Sequence, residues 1–227
     1  LSRAIGSEIF VVDAPNERMA IRAGRIADEF SLQMMIRGSG REYRQLDQIV
    51  DLNRPILLPV NFPTPPDVTT GEAARNTSLQ DLMHWDLAPA NPGQLAGAGV
   101  TVGLTTDGLD DPGTFLSKVR KAVDRGLDPD HALAAMTTVP ADLLEIENQA
   151  GRIQTGMLAN LVITDGDLFD KETKVLETWV AGEQFVITPD PSARYDLWIG
   201  TWSCKTDDLS FVIELTGKKQ KVSGTAR

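Results

Sequence analysis

The chain has 227 residues, 41% of them apolar, and a formal net charge of −10 at pH 7. A chain of this length can bury a sizeable core and form one large domain or two small ones. The acidic balance argues against a nucleic-acid partner, because phosphate binding needs clustered Lys and Arg, and no run of about 18 apolar residues marks a membrane span.

Residues 8–13, Glu-Ile-Phe-Val-Val-Asp, read as a short buried strand. Residues 16–30 follow with apolar Met19, Ile21, Ala23, Ile26, Ala27 and Phe30 at a helical period. Asn16 is placed to cap this helix, and Met19 opens its apolar stripe. Residues 32–36 form a second strand, closed by Gly38-Ser-Gly40, and residues 41–50 a second helix. Residues 55–60 form a third strand. Residues 61–76 are rich in Pro and Thr and read as a loop. A helix over 79–87 is broken at Pro89-Ala-Asn-Pro92, which starts a short helix through Ala96. Residues 101–105 form a fourth strand. Helices follow over 115–125 and 130–137, the latter capped by Asp128 or Asp130, and Pro140 opens a further one to Leu144. Strand and helix alternate, which predicts a parallel sheet with covering helices. The strands are apolar throughout, as expected when both faces are buried.

After Gly151 the pattern changes to strands over 161–164, 175–180 and 183–187, with tight turns between them. A Pro/Asp linker spans 188–194. Residues 197–203, 210–215 and 219–222 read as an antiparallel meander. Trp179, Trp198 and Trp202 fall in this tail, where aromatics at such spacing fill a small sandwich core; an exposed carbohydrate- or partner-binding face is the alternative. Cys204 is the sole cysteine, so the chain has no internal disulfide and no CxxC metal knuckle.

Several segments stand in a fixed order: residues 20–30, Gly38-Ser-Gly-Arg-Glu-Tyr43, Trp85-Asp-Leu-Ala-Pro-Ala-Asn-Pro92, Gly99-Val-Thr-Val-Gly-Leu-Thr-Thr-Asp107, Thr138-Val-Pro-Ala-Asp-Leu-Leu144, and the run from Gly151 to Asp165. In that order and spacing, residues 1–187 resemble the C-terminal portion of the amidohydrolase superfamily, in its imidazolonepropionase-like branch. The resemblance implies an α/β fold: the C-terminal half of a (β/α)8 TIM-type barrel over residues 1–147, β-sandwich strands over 148–187, and a linker with a partial extra β-module over 188–227. The barrel's first four strands, and the His-x-His motif after the first of them, would lie elsewhere. A half barrel cannot close its sheet and leaves an open edge. The implied partner is therefore the missing N-terminal barrel half or a second chain. A start at Leu1, without Met, points to a processed, truncated or partly observed protein. The extra β-module is compatible with an envelope or secreted protein.

The resemblance further implies metal-dependent hydrolysis of C–N bonds in amides or cyclic amides. It implies a divalent metal, zinc first, in the complete protein, leaves open that this chain holds none, and implies that this chain alone, lacking the other ligands, is inactive. In the family the ligands follow barrel strands five, six and eight in this half. The strand-five position aligns with Asp13; a carboxylate can ligate a hard or borderline metal, and the plainer alternative is a helix-capping or loop aspartate. The strand-six position aligns with Arg37 or Gly38, neither of which binds metal, since Arg offers no lone pair. The strand-eight position aligns with Asp107, which in the family is both ligand and general base for the attacking water. An ordinary Asp-Gly turn is the alternative there. Loss of a ligand at Arg37 inside otherwise matching sequence supports a second reading, a non-catalytic scaffold or partner-binding subunit with a degenerate metal site.

Arg37 and Arg41 can hold a substrate carboxylate through bidentate hydrogen bonds, or serve as ordinary ion pairs. His84 lies where the loop after the seventh barrel strand would run, placed to face a small-molecule substrate or solvent. His131 reads as a surface histidine. Asn61 and Asp110 are further polar residues at strand ends. The acidic stretch 105–111 lacks the ligand spacing and terminal Glu of a calcium loop.

Overall fold

The computed structural model of the chain describes residues 9–188, 200–205, 210–218 and 221–226. Four short strands, β1 (Phe10–Asp13), β2 (Met34–Arg37), β3 (Ile56–Pro59) and β4 (Val102–Thr105), pair in parallel in the order β1-β2-β3-β4. Between β1 and β2 runs α1 (Glu17–Glu29), which begins where Asn16 Oδ1 accepts from the Met19 N–H at 3.0 Å. That bond satisfies one of the donors a helix start leaves open. The buried stripe of α1 runs through Ala20, Ile21, Ala23 and Ala27, whereas Met19, Ile26 and Phe30 are exposed. The stripe is thus narrower than the apolar residues alone predict. Its apolar part starts at Ala20, and Met19 lies outside it.

Residues 41–50 do not form a single helix. A 3-10 turn over Glu42–Gln45 leads into the short α2 (Leu46–Val50), because buried polar contacts fix the turn in place. The Pro/Thr-rich stretch is not wholly a loop either. It ends in α3 (Gly71–Asn76), capped by Thr70 Oγ1 accepting from Ala73 N–H at 3.1 Å. No residue of α3 is buried, so the apolar period that reveals a helix is missing from it. Ser78 caps α4 (Leu79–Leu87), and a 3-10 turn over Ala88–Ala90 joins it to α5 (Asn91–Gly97). After β4 come α6 (Phe115–Asp124), α7 (Pro129–Met136) and α8 (Thr138–Leu143). Asp128 caps α7, accepting from Asp130 and His131.

Two apolar clusters hold these elements together. One joins α1, α2 and α5 to the sheet through Ile36, Ile49, Ile56, Leu58 and Leu95. The other gathers Val60, Phe62, Val119, Ala122 and Leu127. Leu104 of β4 packs on both. In β2, Met34, Met35 and Ile36 are all buried, as a strand covered on both faces requires. β1 departs from that expectation: it is an edge strand, its burial alternates, and Val11 is 54% exposed.

The chain divides into two compact units, Leu1–Leu158 with Phe169–Glu172, and Ala159–Leu168 with Thr173–Arg227. The described part of the second unit is antiparallel throughout. One sheet is β5 (Leu161–Thr164), β6 (Val175–Val180) and β7 (Glu183–Val186); another is β8 (Gly200–Lys205), β9 (Ser210–Lys218) and β10 (Lys221–Ala226). Trp179 of β6 and Trp202 of β8 stand in different sheets, and Trp202 is 44% exposed. Trp198 and most of the linker fall outside the described residues. Among those described, no helix is long and apolar enough to cross a membrane.

Candidate functional site at the strand ends

Parallel pairing decides which residues meet at the C-terminal edge of the sheet. Asp13 is the register partner of Arg37 across β1 and β2, and Arg37 is that of Leu57 across β2 and β3. Asp107 lies just past the end of β4. The three side chains converge: Arg37 Nε donates to Asp13 Oδ1, and Arg37 Nη1 pairs with Asp107 Oδ2. One guanidinium thus spans carboxylates carried by the two edge strands, using its fork of fixed donors. The hydrogen bond from Arg37 holds the Asp13 carboxyl below the usual carboxylate range, and the same bond raises Arg37 still further. All three side chains are partly exposed, so solvent screens the pairing.

The backbone on either side of Arg37 is fixed. Its carbonyl accepts from Ala14 N–H at 2.9 Å, and Gly38 N–H donates to Leu57 carbonyl at 2.9 Å. Next comes a buried polar network that the sequence reading passed over. Glu42 is fully buried and accepts from Ser39 N–H at 2.6 Å, Ser39 Oγ at 3.1 Å and Asn91 Nδ2 at 2.7 Å. Asn91 Oδ1 in turn accepts from Tyr43 N–H at 2.8 Å. Gly38 is required beside it, since a Cβ there would stand 2.7 Å from Glu42 Oε1. Both network residues sit inside segments quoted above for the resemblance. The signal available was a Glu and an Asn in otherwise apolar, Gly- and Pro-marked surroundings.

Asp107 is set by its turn. Its N–H donates to Thr105 Oγ1 at 3.2 Å, and Gly108 follows at φ +71. A Cβ on Gly108 would stand 2.5 Å from Asn61 Nδ2. The Asp-Gly turn and the strand-end position are therefore one feature. Asp110 is exposed nearby.

His84 faces the 3-10 turn after β2. Its Nδ1 lies 3.3 Å from Tyr43 Oη, and the rings stack with centroids 6.2 Å apart at 17°. Burial, then the nearby Arg41 and Arg44 cations, push the His84 imidazole below its ordinary value, so it favours the neutral form. The Arg44 guanidinium lies 5.9 Å over the Tyr43 ring. Tyr43, Arg44, Leu79, Gln80 and Met83 line a cavity of about 460 Å³. His131 is at the other end of β4, exposed and 3.5 Å from Asp128 Oδ1.

The sequence-derived candidates thus separate into two groups. Asp13, Arg37 and Asp107 form one, and Arg41 and His84 stand together in the other. A divalent metal does not fit this donor set. Two carboxylates are available, both are paired with a guanidinium, and His84 stands in the other group, beside Tyr43. Among the described residues, no three His, Cys, Asp or Glu side chains are grouped to hold a metal ion.

The model of the amidohydrolase family matches residues 89–188, a stretch that contains Asp107. No curated protein matches the chain. Among solved structures, an amidohydrolase from Thermotoga maritima MSB8 is 24% identical with a TM-score of 0.60, over 78% of this chain and 43% of that one. Another amidohydrolase is 17% identical with a TM-score of 0.58, over 83% and 47%. A prolidase complexed with N-methylphosphonate-L-proline is 19% identical with a TM-score of 0.55, over 78% and 45%. At these identities the likeness is one of fold, and this chain spans less than half the length of each of the three.

Proposed function

We propose that this chain, which belongs to the amidohydrolase superfamily, keeps the scaffold of a metal-dependent hydrolase and works as a non-catalytic scaffold or partner-binding subunit. One observation carries this reading. The strand-end position where the family resemblance implies a metal ligand, at Arg37 or Gly38, offers none, and the Arg37 guanidinium is paired with both neighbouring carboxylates. A metal-bound nucleophile needs an open coordination site and several donors, and at these strand ends there are two carboxylates, both already paired. The parallel sheet is the C-terminal half of a barrel in this reading. Its edges β1 and β4 are where a missing N-terminal half or a second chain would add strands.

A second reading is that the complete protein hydrolyses C–N bonds of amides or cyclic amides, with a divalent metal such as zinc held partly by residues outside this chain. It is favoured by the placement of Asp107 at the C-terminal edge of the sheet, the end at which barrel enzymes carry their sites. In that reading Asp107, with Asp13, faces the metal, and Arg41 and His84 face the substrate.

One experiment separates the two. Bound metal and hydrolysis of a panel of linear and cyclic amides are measured on the full-length protein and its Asp107→Asn variant. The scaffold reading expects no activity that depends on Asp107. Amide hydrolysis and bound zinc lost together in Asp107→Asn would establish the second reading instead.

A further inference from the structure

We infer that Arg37 supplies the resident cation of this site: its guanidinium takes the place between Asp13 and Asp107 that a divalent ion would need, and thereby excludes one. The inference deepens the scaffold reading and rests on it.

Two carboxylates aimed at one small space repel each other unless a positive charge lies between them. Here that charge is covalently attached. Arg37 offers Nε to Asp13 and Nη1 to Asp107, a division of donors that a planar guanidinium makes from one position. It stays protonated at any ordinary pH and has no lone pair to share with a metal.

The arm is also aimed. Strand hydrogen bonds from Ala14 to the Arg37 carbonyl and from Gly38 to Leu57 fix the backbone on both sides. The Glu42–Ser39–Asn91 network then fixes the loop that follows. A metal ion entering from solvent would have to break a charge-assisted hydrogen bond and an ion pair, and at these strand ends would meet two carboxylates. Half of the carboxylate charge at the strand ends is thus compensated, while the Lewis acid and its open coordination position are absent from this arrangement.

The test titrates zinc alone, against a competing chromophoric chelator, into the full-length protein. Wild type is expected to hold no zinc that depends on Asp107. Arg37→His frees both carboxylates and adds a third donor. It should bind zinc at least ~10-fold tighter than wild type, and the gain should vanish in Arg37→His/Asp107→Asn. A wild-type zinc lost on Asp107→Asn, or a folded Arg37→His without the gain, overturns the inference.

A second measurement stands apart from metal and tolerates a poorly folded imidazole variant. Arg37→Gln leaves the two carboxylates facing each other and should lower the thermal midpoint. The triple variant Arg37→Gln/Asp13→Asn/Asp107→Asn removes the repulsion and should recover at least half of the loss. A triple variant no more stable than Arg37→Gln overturns the inference. The two proposals fail separately: an inactive protein whose Arg37→His variant gains no zinc refutes this one and leaves the scaffold reading standing, whereas Asp107-dependent hydrolysis refutes the scaffold reading itself.

Discussion

Asn91 Nδ2 donates to the fully buried Oε2 side of Glu42 at 2.7 Å, joining the start of α5 to the turn that follows β2. Through its oxygen the same amide accepts from Tyr43 N–H. One side chain thereby satisfies a buried carboxylate and a partly buried N–H on a neighbouring element. Asn91→Leu removes a donor to Glu42 and the acceptor of Tyr43 in a single step. Leaving buried polar groups without partners costs about 1–3 kcal/mol each, so a loss of roughly 3 kcal/mol is expected, read as a lower midpoint in urea unfolding. A loss within the range of an ordinary surface substitution would mean that the network does not hold the turn.

Gly108 is constrained twice, by φ +71 and by the approach of Asn61 Nδ2 to within 2.5 Å of where a Cβ would be. Gly108→Ala should destabilise by roughly 1–2 kcal/mol, from a positive φ that L residues disfavour plus the clash. Combining it with Asn61→Ala should relieve the clash and leave the backbone cost. A double-mutant cycle in chemical denaturation checks the coupling. Full additivity of the two changes would contradict the contact.

The parallel sheet of β1 to β4 was legible in the sequence because each strand is a short apolar run separated from the next by a helical period or a turn signal. The likeness to the amidohydrolase family was legible because the motifs between residues 20 and 165 stand in order. α3 was not, since it buries nothing and so leaves no period. Neither was the division of residues 41–50 into a 3-10 turn and a short helix, which follows from where Glu42 finds its partners and not from local propensity. The Arg37 arrangement was half legible. A missing ligand at that position could be read from the chain. That one guanidinium reaches carboxylates from both edge strands requires the pairing register and the path of the turn after β4, both tertiary facts.

The α1 cap offers a cleaner test of local structure. Asn16 is extended at φ −158 and its side chain accepts from Met19 N–H at 3.0 Å. Replacing an N-cap Asn by Ala costs about 1 kcal/mol in typical hosts. Asn16→Ala should lose that much by equilibrium unfolding, while Asn16→Asp should lose little, because Asp accepts the same bond and its charge suits the positive helix start. Equal losses in both variants would place the effect outside capping.

His84 gives the pH prediction. Its imidazole is pushed below the ordinary value of 6.5 first by burial, then by Arg41 and Arg44; Asp81 and Glu17 act the other way and do not prevail. Below about pH 6.5 the unfolded chain binds a proton at this residue that the folded chain does not yet bind, so stability falls with falling pH until the folded midpoint is passed. Relative to His84→Gln, wild type should therefore lose stability as pH drops from the unfolded value through the folded one, with no difference in slope above it. In NMR, the His84 ring protons should titrate with a midpoint below 6.5. Arg41→Gln should raise that midpoint without restoring it fully, because burial, the larger cause, persists. A midpoint at or above 6.5 in wild type, or one that Arg41→Gln leaves unmoved, would separate His84 from the Arg41 cation and dissolve the second group of candidate residues.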